Sequence, residues 1–149
     1  MANHLRRQIR EMVAFVVTGL PTTGSRVFQS RIYPLQTAEL PGILVFTDDE
    51  TIEPATIHGP RVLQRTLTVR VVAVAKASAD LDDVLDQICK EIEPVLADPV
   101  PAIGNLAKSI VPVAWNAQME RGGEQPVGTA TLTYSVEYFN LETAPDVAQ

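Results

Sequence analysis

RVLQRTLTVRVVAVAK, residues Arg61 to Lys76, decides the fold class. Leu63, Leu67, Val69, Val71, Ala73 and Ala75 fall on one side of an extended chain, and Gln64, Thr66, Thr68, Arg70 and Lys76 on the other. A period of two sustained this long is a β-strand with one buried face. Val72 and Val74 interrupt the polar side, so the far end of the strand is expected to be covered on both faces.

Upstream, Pro41-Gly42 makes a turn into a short apolar strand, Ile43–Phe46, and Arg26–Tyr33 reads as another strand closed by Pro34. Residues Thr47 to Pro60 carry Asp48, Asp49, Glu50 and Glu53 with two prolines and a glycine. That composition predicts a projecting acidic loop over 47–60. Downstream, Ser78-Ala79-Asp80 caps a helix whose buried stripe is Leu81, Val84, Leu85, Ile88 and Ile92. Its early acids suit the positive end of a helix dipole, and Pro94 is expected to kink or restart it. Asp98-Pro99-Val100-Pro101 reads as a stiff linker. Ser109–Ala117 and Val127–Phe139 read as strands joined by the turn-rich ERGGEQPVG, and 142–149 as a polar tail.

At the other end, Leu5, Ile9, Met12, Val13, Val16 and Leu20 share one helical face, with Asn3 as the expected N-cap. Arg6, Arg7 and Arg10 ahead of Met12–Val17 mimic a secretory signal, but Glu11 interrupts the boundary and no small-x-small cleavage site follows. The helix should end at Gly19, with Pro21 forbidding continuation. TGLPTTGSR, residues 18–26, has the outline of a phosphate loop and also contains an LPxTG sorting signal. A helix precedes it and a strand follows, the reverse of a phosphate loop, and no Gly-Lys-Ser/Thr occurs. Nor does a hydrophobic tail follow the LPxTG. It reads as a helix cap and loop.

The expected fold is therefore a single α+β domain over residues 1–149. A mostly antiparallel or mixed sheet of about five strands carries two main helices on one face. The 149 residues, 46% hydrophobic and 20% charged, are those of an ordinary globular chain. A net charge of -6 excludes a protein that coats nucleic acid through a broadly basic surface. The single cysteine, Cys89, excludes an internal disulfide. No apolar run reaches the roughly 20 residues of a membrane span.

Chemistry is sparse. His58 lies in a loop with Asp48, Asp49 and Glu50 upstream, but the ligand spacing is irregular and a solvated acidic loop accounts for it. No serine sits in a G-x-S-x-G elbow. Cys89 falls beside a buried helical stripe as a small apolar filler, and Trp115 reads as core or interface. The sequence predicts no catalytic, metal-binding or cofactor-binding residues and no cofactor. It reads as a non-enzyme.

Charge is segregated along the chain. Residues 1–31 hold five arginines against Glu11, and 61–76 hold Arg61, Arg65, Arg70 and Lys76 with no acid. Residues 39–53 hold five acids with no base, and 80–98 hold seven acids against Lys90. Such blocks pair within one fold or across neighbouring copies, and both arrangements are open at this level. The candidate contact surface is Arg61, Arg65 and Arg70, with Asp48, Asp49 and Glu50 and the helical Asp82, Asp83 and Asp86.

The order of elements carries a resemblance. HLRRQIREMVAFVVTGLPTTGSRVFQSRIYPLQTAELPGILVFTDDE, RTLTVRVVAVAKA and DLDDVLDQICKEIEPVLA resemble the tail terminator proteins of long-tailed bacteriophages, the minor tail protein U group among them. The closest likeness is the strand end Arg31-Ile32-Tyr33-Pro34 followed by AELPGILVF. The resemblance implies a virion protein that assembles in the host cytoplasm into a homo-oligomeric ring, a hexamer. The ring caps the head-proximal end of the tail tube, ends its polymerisation and offers the docking surface for the head. Implied partners are further copies of the chain, the major tail tube protein, the head completion or connector proteins, and DNA passing through the lumen without sequence-specific binding. No membrane is implied. The alternatives are a head-tail joining or tail completion adaptor, and a small ligand-binding domain or hydrolase.

Overall fold

The computed structural model describes residues 2–29, 35–97, 103–120 and 126–149. In chain order the elements are α1 (Leu5–Val16), β1 (Val27–Gln29), a short 3-10 turn (Thr37–Glu39), β2 (Gly42–Pro54), β3 (Val62–Lys76), α2 (Leu81–Val95), β4 (Ser109–Glu120), β5 (Val127–Leu141) and β6 (Ala144–Ala148). The sheet runs β1-β2-β3-β5-β4, and β6 pairs with the end of β5. Only β1 and β2 are parallel, and the remaining pairs are antiparallel. This is the expected α+β domain, with a sixth strand.

Alternation in β3 places Leu67, Val69, Val71 and Ala73 against the two helices. Leu132, Tyr134, Val136 and Tyr138 of β5 lie on the same face. From α1 come Leu5, Ile9 and Val13, and from α2 Leu85, Ile88 and Ile92, all buried there. Burying each such aliphatic side chain contributes about 1.5–3 kcal/mol. On the opposite face Val72 and Val74 are covered by a second, smaller cluster with Leu35, Leu40 and Phe46, as their break in the alternation predicts.

Several boundaries differ from the sequence reading. His4, not Asn3, caps α1, its Nδ1 accepting from the Arg6 N–H at 3.1 Å. The LPxTG stretch is a tight loop closed by Gly19 N–H donating to Gly24 O, both glycines at positive φ. Pro94 does not break α2. It sits one residue from the helix end, where the Leu96 N–H still reaches Ile92 O. The loop expected over Thr47–Pro60 is corrected, because Thr47–Pro54 continue β2 and pair with Leu63–Val69 of β3. Backbone pairing there overrides an acidic composition, and only 55–61 form the hairpin tip. The polar tail over 142–149 is likewise corrected: Ala144–Ala148 form β6, and the Gln149 N–H donates to Phe139 O. Residues 30–34 lie outside the described residues, as do the expected linker 98–101 and residues 121–125 of the expected turn.

Candidate assembly surface

A β-bulge between Thr47 and Glu50 inserts one extra residue into β2, since Thr47 pairs with Val69 and Glu50 with Leu67. The shift swings Glu50 onto the helix-covered face. Its carboxylate accepts from Arg6 Nη1 at 2.7 Å, from Arg65 Nη1 at 2.9 Å and from the Tyr138 hydroxyl. Arg65 is buried and donates through Nε to Asn140 Oδ1 at 2.7 Å. Burial alone raises the Glu50 pKa, but the hydrogen bonds from Tyr138, Arg6 and Arg65 outweigh it and hold the carboxyl below its ordinary value. Four elements, α1, β2, β3 and β5, meet in this one cluster.

The other arginines of β3 and its approach, Arg70 and Arg61, are engaged within the chain as well. On the outer face of the sheet Arg70 Nε donates to Asp48 Oδ2 at 2.9 Å and Nη1 to Thr133 Oγ1 at 3.1 Å. Arg61 lies 3.5 Å from Glu142. Of the two arrangements open for the charge blocks, the 61–70 and 48–50 blocks pair inside one fold. Arg65 in particular is withdrawn from any outside partner. Asp49 stands exposed at the bulge, and Asp82, Asp83 and Asp86 are exposed on α2. None of those four acids makes an ion pair among the described residues.

The largest apolar exposure lies on β4, the last strand of the sheet. Val111, Val113, Trp115 and Met119 are 47%, 58%, 53% and 56% exposed, half of the large hydrophobic side chains left open to solvent in the described residues. Trp115 forms one wall of a groove of about 520 Å³ whose other side is α2, with Asp86, Cys89, Lys90, Glu93 and Pro94. Of the two readings of Trp115, core or interface, its 53% exposure excludes the core. The apolar run of β4 itself was legible, but its openness was not, since edge position is a property of sheet order.

Catalytic chemistry has little to work with here. His58 is exposed in the hairpin tip, and no three His, Cys, Asp or Glu residues among those described converge as a metal site. Burial pushes the Cys89 thiol up to about 11, against a weaker opposing hydrogen bond from Trp115, which leaves it protonated and unreactive at neutral pH. His4 serves as a helix cap.

No curated protein matches this chain. Among solved structures it is similar to a chain in the virion of a native gene transfer agent particle, at 14% identity over 92% of each chain with a TM-score of 0.37. At that distance the likeness carries no argument. The profile of phage minor tail protein U matches residues 4–138, from the α1 cap to Tyr138 at the Glu50 cluster. The chain therefore belongs to the phage minor tail protein U family and is a structural tail protein of a bacteriophage virion.

Proposed function

We propose that this subunit acts as a tail terminator. Copies assemble into a ring that caps the head-proximal end of the tail tube, stops tube growth and presents the surface to which the head docks. The family supports this reading, and β4 is the observation in the structure that carries it. A twelve-residue edge strand with four exposed large hydrophobics suits a subunit whose neighbours cover that edge after assembly. The exposed acids Asp82, Asp83 and Asp86 belong to the proposed contact surface. So does the hairpin tip, where Ile57 is 85% exposed, as a contact arm toward tube or head.

Complementation tests the role. A phage lacking the gene should make overlong tails without heads, and the gene in trans should restore both length and joining. Tails of normal length that fail to join heads would mark an adaptor instead. Negative-stain images of the purified protein with tube present should show rings with a central hole.

A further inference from the structure

The two ends of the sheet differ in charge and in cover. At one end β4 pairs only with β5 among the described residues, which leaves its outer row of N–H and C=O groups without a partner strand among them. Soluble monomers protect such edges with charge, proline, bulges or short length. Pro112 and the bulge at Pro112/Ala114 blunt the start of β4, but Ala114 to Met119 carry no charge and no proline. Above this strand α2 exposes Asp82, Asp83, Asp86 and Glu93 against the single cation Lys90. At the other end β1 is three residues long and covers only Ile43–Val45 of β2. Two arginines with no carboxylate partner among the described residues flank it. Arg10 contacts Gln29 Oε1 at 3.4 Å, and Arg26 donates to the carbonyls of Pro41 and Thr22 at 2.7 and 3.0 Å.

We propose that the α2–β4 groove of one copy receives the β1 edge of a second copy, with Arg10 facing the α2 acids and Trp115 buried at the centre of the contact. This rests on the ring reading and names its interface. The surfaces lie at opposite ends of the strand order, so the contact is head-to-tail, the type that closes into rings. A two-fold contact of β4 with β4 would set Asp86 and Glu93 of one copy against the same acids of the other, and like charges oppose it. The basic partner of the acidic helix is thus the β1 edge and not β3, whose arginines are engaged within the chain.

The test uses two variants of the full chain, Trp115→Glu to block the groove and Arg10→Glu to block the opposite edge. Both side chains lie at the surface, and thermal transitions check that each variant folds. Met119→Glu replaces Trp115→Glu if loss of the Cys89 contact unfolds it. Wild type should sediment as an oligomer. Trp115→Glu should weaken association roughly thirty-fold or more, as loss of a central aromatic anchor does, and Arg10→Glu should weaken it in a salt-dependent way. Mixing the two variants should give a dimer, because each retains the surface the other has lost. No dimer on mixing, or rings unaffected by either change, overturns this interface and leaves the ring reading standing. Wild type that stays monomeric even with tube present overturns both.

Discussion

Arg65 Nη1 stands 2.9 Å from Glu50 Oε2, and both side chains are almost wholly withdrawn from water. The pair lies under α1 and is completed by Arg6, Tyr138 and Asn140. Glu50→Gln leaves Arg65 buried without its counter-charge and should cost about 3–5 kcal/mol. Glu50→Gln combined with Arg65→Met should cost distinctly less than the sum of the single changes. Urea denaturation of the four proteins gives the coupling, and additivity would show that the two residues act independently.

Arg70 provides the contrast. Its ion pair with Asp48 is on the outer face with both side chains partly open to solvent. Arg70→Glu should change stability by no more than about 1 kcal/mol, while Arg65→Glu should prevent folding. Circular dichroism melts of the two reversals separate them, and equal losses would contradict the burial difference.

Acid should loosen the α1 end of the molecule first. Burial, then the nearby Arg6 and Arg65, lower the His4 pKa from 6.5. The unfolded chain therefore takes up a proton at His4 before the folded chain does. The stabilisation is complete above pH 6.5 and is lost as pH falls through the lowered folded value. Glu50, lowered from 4.5, repeats this in a more acid window, with its contribution complete above that pH. Stability against pH should thus fall in two stages. His4→Asn, which keeps an N-cap acceptor, should remove the first.

Gly128 permits the seating of α2. A Cβ there would lie 2.4 Å from Leu81 Cδ2 and 2.9 Å from Cγ. Gly128→Ala should destabilise by about 1–3 kcal/mol through overpacking. Adding Leu81→Ala should recover part of that loss although it is itself a truncation. A double variant less stable than Gly128→Ala alone would refute the steric account.

Alanine at His58 or Cys89 should leave tail completion intact in the complementation assay, with normal tail lengths. Hydrolytic turnover by wild type that His58→Ala abolishes would replace the structural reading with an enzymatic one.

Much of the fold was legible because the alternation in β3 and β5 and the stripes of α1 and α2 are set by burial, which selects side-chain type. What escaped depends on backbone pairing. Thr51 and Glu53 look like loop residues because they are exposed, yet their main chain pairs with Thr66 and Gln64. β6 shows no side-chain signature for the same reason. Glu50 was read as one of a run of solvated acids, since a single inserted residue leaves no mark on composition. The sequence reading sets the acidic helix against a basic face on β3, yet Arg65 of that face serves the interior.

The bulge in β2 also fixes where this chain tolerates a change of length. Ile43 and Val45 before it and Glu50 after it reach the same face in opposite sequence parity. Removing one residue between Thr47 and Glu50 would erase the bulge and still leave Glu50 opposite Leu67 on the helix-covered face, so this segment should tolerate the loss of one residue. The tip at 55–61 imposes no parity, and related chains should vary there in length and chemistry as their partners differ.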